Sequence, residues 1–106
     1  MKVDTAPTYG TAPSSAAVQS GTVQVAYRDD AIAPDTLKVK VGTTVRWTNH
    51  DSAPHNVTSE SGPQHFASGD FGEGESFQVR LTTPGTVHYE STTQPATMNA
   101  TIEVVR

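Results

Sequence analysis

The chain predicts an all-β sandwich, and three observations carry that expectation. Apolar residues fall at every second position in one short run after another: Val23, Val25 and Tyr27; Leu37, Val39 and Val41; Val45 and Trp47; Phe77, Val79 and Leu81; Val87 and Tyr89; Ile102 and Val104. Alternation of this kind puts one set of side chains on a buried face and the other in water, as in a half-buried strand. Turn-forming residues punctuate the runs, among them Asp29-Asp30, Gly42 and Pro84-Gly85. No stretch repeats its apolar residues at helical spacing, so the expectation is seven or eight short strands in two packed sheets.

Residues 1–21 contain Thr5-Ala6-Pro7 and Thr11-Ala12-Pro13-Ser14-Ser15 and have little to bury, so they read as a flexible Ala/Pro/Ser/Thr-rich tether to a domain over 22–106. The alternative lays Tyr9 and Val18 along the domain as an added edge strand. From Thr22 the alternation begins, breaks at Asp29-Asp30 and resumes at Leu37 against Lys38 and Lys40. It then turns at Gly42 and continues through Trp47 as antiparallel sheet. Residues 58–75 are rich in Ser and Gly, with Phe66 and Phe71 as the large apolar groups, which suits a loop folded over one edge with both rings turned inward. Thr83-Pro84-Gly85-Thr86 has Pro and Gly where a type II turn wants them. The last stretch reads as a strand, a short polar loop and a returning strand. Val87, Tyr89 and Ser91 share one face there, and His88 and Glu90 point outward.

A domain this small hides only about 60% of its unfolded surface, so its core must pack tightly. The formal net charge of -4 argues against nucleic-acid and anionic-membrane partners, which need clustered Lys and Arg. The absence of cysteine excludes disulfides, metal thiolates and thiol nucleophiles. No apolar run is long enough for a transmembrane helix or the core of a signal peptide.

Two stretches carry a resemblance. The first runs from Pro34 through Leu37, Val39, Val41-Gly42, Val45 and Trp47 to Asn49, in the pattern P-x-x-L-x-V-x-V-G-x-x-V-x-W-x-N. The second comprises Pro54-His55-Asn56-Val57, then Tyr89-Glu90-Ser91, Gln94-Pro95 and Met98-Asn99-Ala100-Thr101. Over residues 23–105 the chain resembles the small cupredoxins, the plastocyanin-, amicyanin- and pseudoazurin-like blue copper family. The resemblance implies a Greek-key sandwich, a periplasmic or extracellular setting, and a copper site. Its ligands would come from the P-H-N-V segment and from a loop reading Y-x-C, x-x-H-P and M-x-G-T.

By that likeness His55 offers a ring nitrogen to copper, Asn56 ties its segment to the loop, and Met98 is the weak axial ligand. Ser91 stands at the cysteine position and Gln94 at the second histidine position. A neutral hydroxyl cannot supply the copper–thiolate bond, and an amide oxygen is harder and less basic than imidazole. Three residues separate Gln94 from Met98, where amicyanin-like loops have two and plastocyanin-like loops four. Met98 equally suits an ordinary core position. His50, in the loop that ends at His55, is a further candidate, holding copper or zinc with His55 and with water, Gln94 or a nearby carboxylate. Ser91, His55 and Asp51 would make a hydrolytic triad only with geometry that the sequence does not reveal, and no G-x-S-x-G turn is present, so no enzyme activity is expected.

The expected function is therefore that of a non-blue member of the family, handling copper that is weakly bound or absent instead of carrying electrons in the usual way. Two other readings stand beside it. One is a metal-free interaction module. The other is an electron-transfer protein whose site is mutated. A redox or copper-donor protein would dock at the rim formed by His55, Pro95, Ala96 and Met98, the last three exposed.

Overall fold

The alternating runs become strands. The computed structural model describes residues 17–106, and within them lie eight strands and no helix. They are β1 (Thr22–Arg28), β2 (Ala31–Ala33), β3 (Thr36–Lys40), β4 (Thr44–Asn49), β5 (Thr58–Ser61), β6 (Ser76–Arg80), β7 (Gly85–Glu90) and β8 (Asn99–Val105). Two four-stranded sheets result, with orders β2-β1-β4-β6 and β3-β8-β7-β5. This is an all-β, cupredoxin-like sandwich.

The inward set of each strand meets between the sheets. Val23, Val25 and Tyr27 of β1 and Val45 and Trp47 of β4 face Leu37, Val39, Tyr89, Ala100, Ile102 and Val104 across a single core. Each large apolar side chain buried there contributes about 1.5–3 kcal/mol. Trp47 lies edge-on to Tyr89 with centroids 5.3 Å apart, and its indole N–H donates to the Tyr89 hydroxyl at 3.0 Å. The bond satisfies the polar tip of each buried ring.

Several expectations need correction. The sheets are mixed, not antiparallel throughout: β1 runs parallel to β4, with Val25 opposite Trp47, and β3 parallel to β8, with Leu37 opposite Ile102. The chain reverses at Asp29-Asp30, crosses to the other sheet between β2 and β3, and reverses again at Gly42. β4 therefore returns beside β1 in the same direction. Val41 is 40% exposed, because β3 ends at Lys40 and the chain turns. Thr58–Ser61 is a strand, paired to β7 with a register shift between Ser59 and Ser61. As an edge strand it has no need of apolar alternation. Phe66 and Phe71 are half-buried, packed on Trp47 and Tyr27.

Gly85 does not sit in a type II turn. It opens β7 at φ +138°, and a β-carbon there would lie 2.8 Å from Pro63 Cγ, so both backbone and space require glycine. Glu90 is buried rather than outward, between Thr58 of β5 and Asn99 of β8 in register. Of the leading segment, Gln19 bonds to β3, its N–H donating to Lys38 O and its carbonyl accepting from Lys40 N–H, both at 2.9 Å. Gly21 O likewise accepts the Thr44 N–H at 2.9 Å, and residues 1–16 of the expected tether lie outside the described residues.

Candidate functional site

Three loops meet at one end of the sandwich: the turn between β1 and β2, the loop after β4, and the loop between β7 and β8. Asn49, the last residue of β4, folds the loop that follows. Its amide group donates to Ala53 O at 2.9 Å and Phe71 O at 3.0 Å, and its Oδ1 accepts the Asp51 N–H at 2.8 Å. This Asx-type turn curls the chain so that Asp51 and His55 face each other. His55 is then pinned by backbone bonds to Phe71 in both directions.

Asn56 ties this segment to the far loop. Its N–H donates to Ser91 Oγ at 3.1 Å and its amide group to Thr92 Oγ1 at 2.8 Å. Its Oδ1 accepts the Thr92 N–H at 3.1 Å. The Tyr27 hydroxyl donates to Asn56 O at 3.0 Å. Burial first, and Tyr89 second, push that hydroxyl far above the usual tyrosine range, so it stays protonated.

The His55 ring is 1% exposed and lies edge-on to Tyr27. Its two nitrogens face different surroundings. Nδ1 is 3.0 Å from Thr93 Oγ1 and 3.4 Å from Ser91 Oγ, and the two hydroxyls are 3.0 Å apart. Nε2 is 2.9 Å from Asp51 Oδ2 and 3.5 Å from Asp30 Oδ1. Ionised carboxylates only accept, so the neutral ring carries its proton on Nε2 and Nδ1 accepts from a hydroxyl.

Asp51 is itself held. Its Oδ1 accepts the Asp29 N–H at 2.7 Å and its Oδ2 the Asp30 N–H at 3.0 Å. Asp29 and Asp30 both adopt left-handed backbone, φ +55° and +53°, which turns successive N–H groups inward as an anion-binding nest. The Asp30 N–H is the main cause that lowers the Asp51 carboxyl below its ordinary value; partial burial opposes it, and the His55 and Asp29 bonds reinforce it. An open cleft of about 270 Å³ beside the carboxylates is lined by Asp29, Asp30, Asp51, Ser52 and Ala53.

Ser91 and Met98 are both fully buried and joined by a 2.9 Å bond from Ser91 N–H to Met98 O. His55, Ser91 and Met98 thus share one end of the molecule. Gln94 is exposed, held through its backbone to Ser91 O and Met98 N. His50 is also exposed, and the group of ligand atoms gathered at His55 consists of Asp30 and Asp51 without it. The expected rim needs correction. Met98 and His55 lie beneath it, and its outer residues are Gln94, half-buried Pro95 and Ala96.

Ser91, His55 and Asp51 do line up, which the sequence could not reveal. Yet Ser91 is buried and its oxygen already accepts the Asn56 N–H, so no substrate carbonyl reaches it. The residues that sequence reasoning missed are Thr93 and Asp30, and Asp51 is named there only as a member of a hydrolytic triad. Asn49-x-Asp51 is a spacing from which the Asx-type turn could have been found, whereas Asp29-Asp30 read only as a break between alternating runs.

Comparison with known proteins bears on this end of the fold. Residues 16–105 match the family described as copper binding proteins, plastocyanin/azurin family. The chain is similar to amicyanin from Paracoccus denitrificans, 31% identical over 92 residues, covering 77% of this chain and 65% of that protein. It is also similar to amicyanin-alpha from Methylorubrum extorquens, 32% identical over 62 residues, covering 56% of this chain and 52% of that one. The chain thus spans less than two thirds of the length of either relative. Among solved structures, a purple cupredoxin from Nitrosopumilus maritimus superposes with a TM-score of 0.70 at 28% identity, over 78% of this chain and 99% of that one. A match across so much of the chain, on a sandwich of this topology, means that the chain belongs to the plastocyanin/azurin family of copper binding proteins, the small cupredoxins.

Proposed function

We propose that this is a non-blue cupredoxin, in which copper is bound weakly or not at all and the copper–thiolate route for electrons is lost. The observation that carries the reading is the hydroxyl of Ser91, 3.4 Å from His55 Nδ1, and the likeness of motif assigns Ser91 to the family's cysteine position. A blue centre depends on a short copper–sulfur bond in a trigonal set of two histidines and a cysteine. Two hydroxyls, one imidazole and a buried thioether do not fit that requirement, and Gln94 adds at most an amide. A metal at Nδ1 would also displace the Thr93 hydroxyl, losing a hydrogen bond that contributes about 0.5–1.5 kcal/mol. His55 and Met98 are the donors soft enough for Cu(I).

A second reading, a metal-free interaction module, is favoured by one observation. Among the described residues, no buried side-chain nitrogen or oxygen lacks a hydrogen-bond partner, so the residues around His55 satisfy one another. On either reading 22–106 is the working domain, 1–21 its tether, and Gln94, Pro95 and Ala96 the surface offered to a protein partner. An exported setting, periplasmic or extracellular, and the lack of catalytic activity belong to the same proposal and rest on the family likeness.

Titration with Cu(I) and Cu(II) tests it. Weak one-to-one binding that disappears in His55→Ala supports the copper reading, and binding no tighter than in that variant supports the module. Ser91→Cys combined with Gln94→His should give an intense visible band with Cu(II) while the parent stays colourless. An intense band in the parent would overturn the non-blue assignment.

A further inference from the structure

We propose a separate divalent-cation site on the outer edge of the same imidazole, formed by His55 Nε2, Asp51 and Asp30 and suited to zinc. The three ligand atoms lie within 4.8 Å of one another, with Nε2 2.9 Å from Asp51 Oδ2 and 3.5 Å from Asp30 Oδ1. Donors about 2.0–2.1 Å from a tetrahedral zinc stand about 3.3 Å apart, a value that these two separations bracket. The Asp30 side chain is 54% exposed, so it is free to make the remaining adjustment. One imidazole and two carboxylates form a set that zinc takes readily without thiolate.

Three features distinguish this arrangement from a chance meeting of surface acids. The His55 ring is buried and edge-on to Tyr27, which fixes Nε2 toward the carboxylates. When a cation takes the Nε2 lone pair, the ring proton must sit on Nδ1, and there the Thr93 and Ser91 oxygens stand at 3.0 and 3.4 Å to accept it. A metal-bound imidazole typically has such a partner for its other nitrogen. Asp51 is oriented by the Asp29 and Asp30 N–H groups, the equivalent support for a ligating carboxylate. The cleft of about 270 Å³ at Asp29, Asp30, Asp51, Ser52 and Ala53 leaves room for water at the remaining coordination position.

The site goes beyond the copper reading and does not rest on it. It uses the opposite edge of the ring from Ser91, and a ring with one free lone pair serves one edge at a time.

The full chain is titrated with Zn²⁺ by calorimetry in a non-coordinating buffer, while ¹⁵N–¹H spectra of His55 report which nitrogen carries the proton. The expected result is one-to-one uptake, transfer of the ring proton from Nε2 to Nδ1, and a loss of affinity of about tenfold or more in Asp30→Asn. Asparagine tolerates the left-handed backbone at position 30, so that variant keeps the turn. No stoichiometric uptake, uptake indifferent to Asp30→Asn, or a proton that stays on Nε2 with metal bound would each overturn the proposal. The last outcome would place the ion on the Nδ1 edge and so keeps this test distinct from the copper titration.

Discussion

At the scale of single residues, Asp51 does more than face His55. It accepts two backbone N–H groups and one ring nitrogen, and its carboxyl is lowered, the Asp30 N–H first among the causes. A lowered folded value means that ionised Asp51 contributes stability above the ordinary aspartate value of about 3.9, and the contribution is lost as pH falls through the folded value. Urea midpoints of the metal-free protein should therefore exceed those of Asp51→Asn at neutral pH, and the gap should close in acid below about pH 4. A gap that is constant with pH would remove the ionised carboxylate from the account. Tyr89 is a second case. Burial raises its hydroxyl far above the usual range, and that hydroxyl accepts the Trp47 N–H. Tyr89→Phe strands a buried donor and should cost about 1–3 kcal/mol in urea unfolding.

At the scale of elements, β5 is an edge strand with little buried side-chain surface to hold it. It lies at a sheet edge, its residues are half-buried or exposed, and its pairing to β7 shifts register. Gly62, just beyond it, has φ +122°, and a β-carbon there would lie 2.6 Å from Thr86 O and 2.9 Å from Val87 Cα. Both atoms belong to the backbone of β7, which cannot swing aside as a flexible side chain would. Gly62→Ala should cost about 1–3 kcal/mol for the backbone conformation, with a further cost from the close approach. It should also speed amide exchange in β5 more than in β8. Unchanged exchange at Ser59 and Ser61 would show that β5 is held independently of that crossing.

At the scale of the whole molecule, the two sheets share one core cluster, and Trp47 sits fully buried within it. Neither sheet has an apolar face of its own to pack elsewhere, so both should be lost together. Since the chain has one tryptophan, its fluorescence reports on the shared core while far-UV circular dichroism reports on the strands. The two urea midpoints should coincide. A separation between them would mean that one sheet survives the loss of the core.

The residue types by themselves determined the sandwich. Period-two alternation at Val23 to Tyr27, Leu37 to Val39 and Val87 to Tyr89 needs no partner to be legible, because burial of one face is a local property of a strand. Likeness of motif further placed His55, Ser91 and Met98 at a common end. Pairing direction, the edge strand β5 and the burial of Glu90 were not legible, since each depends on which strand lies alongside. The same holds for the surroundings of His55. Asp30 and Asp51 are 21 residues apart in the chain. They meet because β1 and β4 run parallel with Tyr27 opposite Asn49, which sets the Asp29-Asp30 turn beside the loop after β4. Only that register, a property of two packed strands and of neither alone, decided what the outer edge of the imidazole would face.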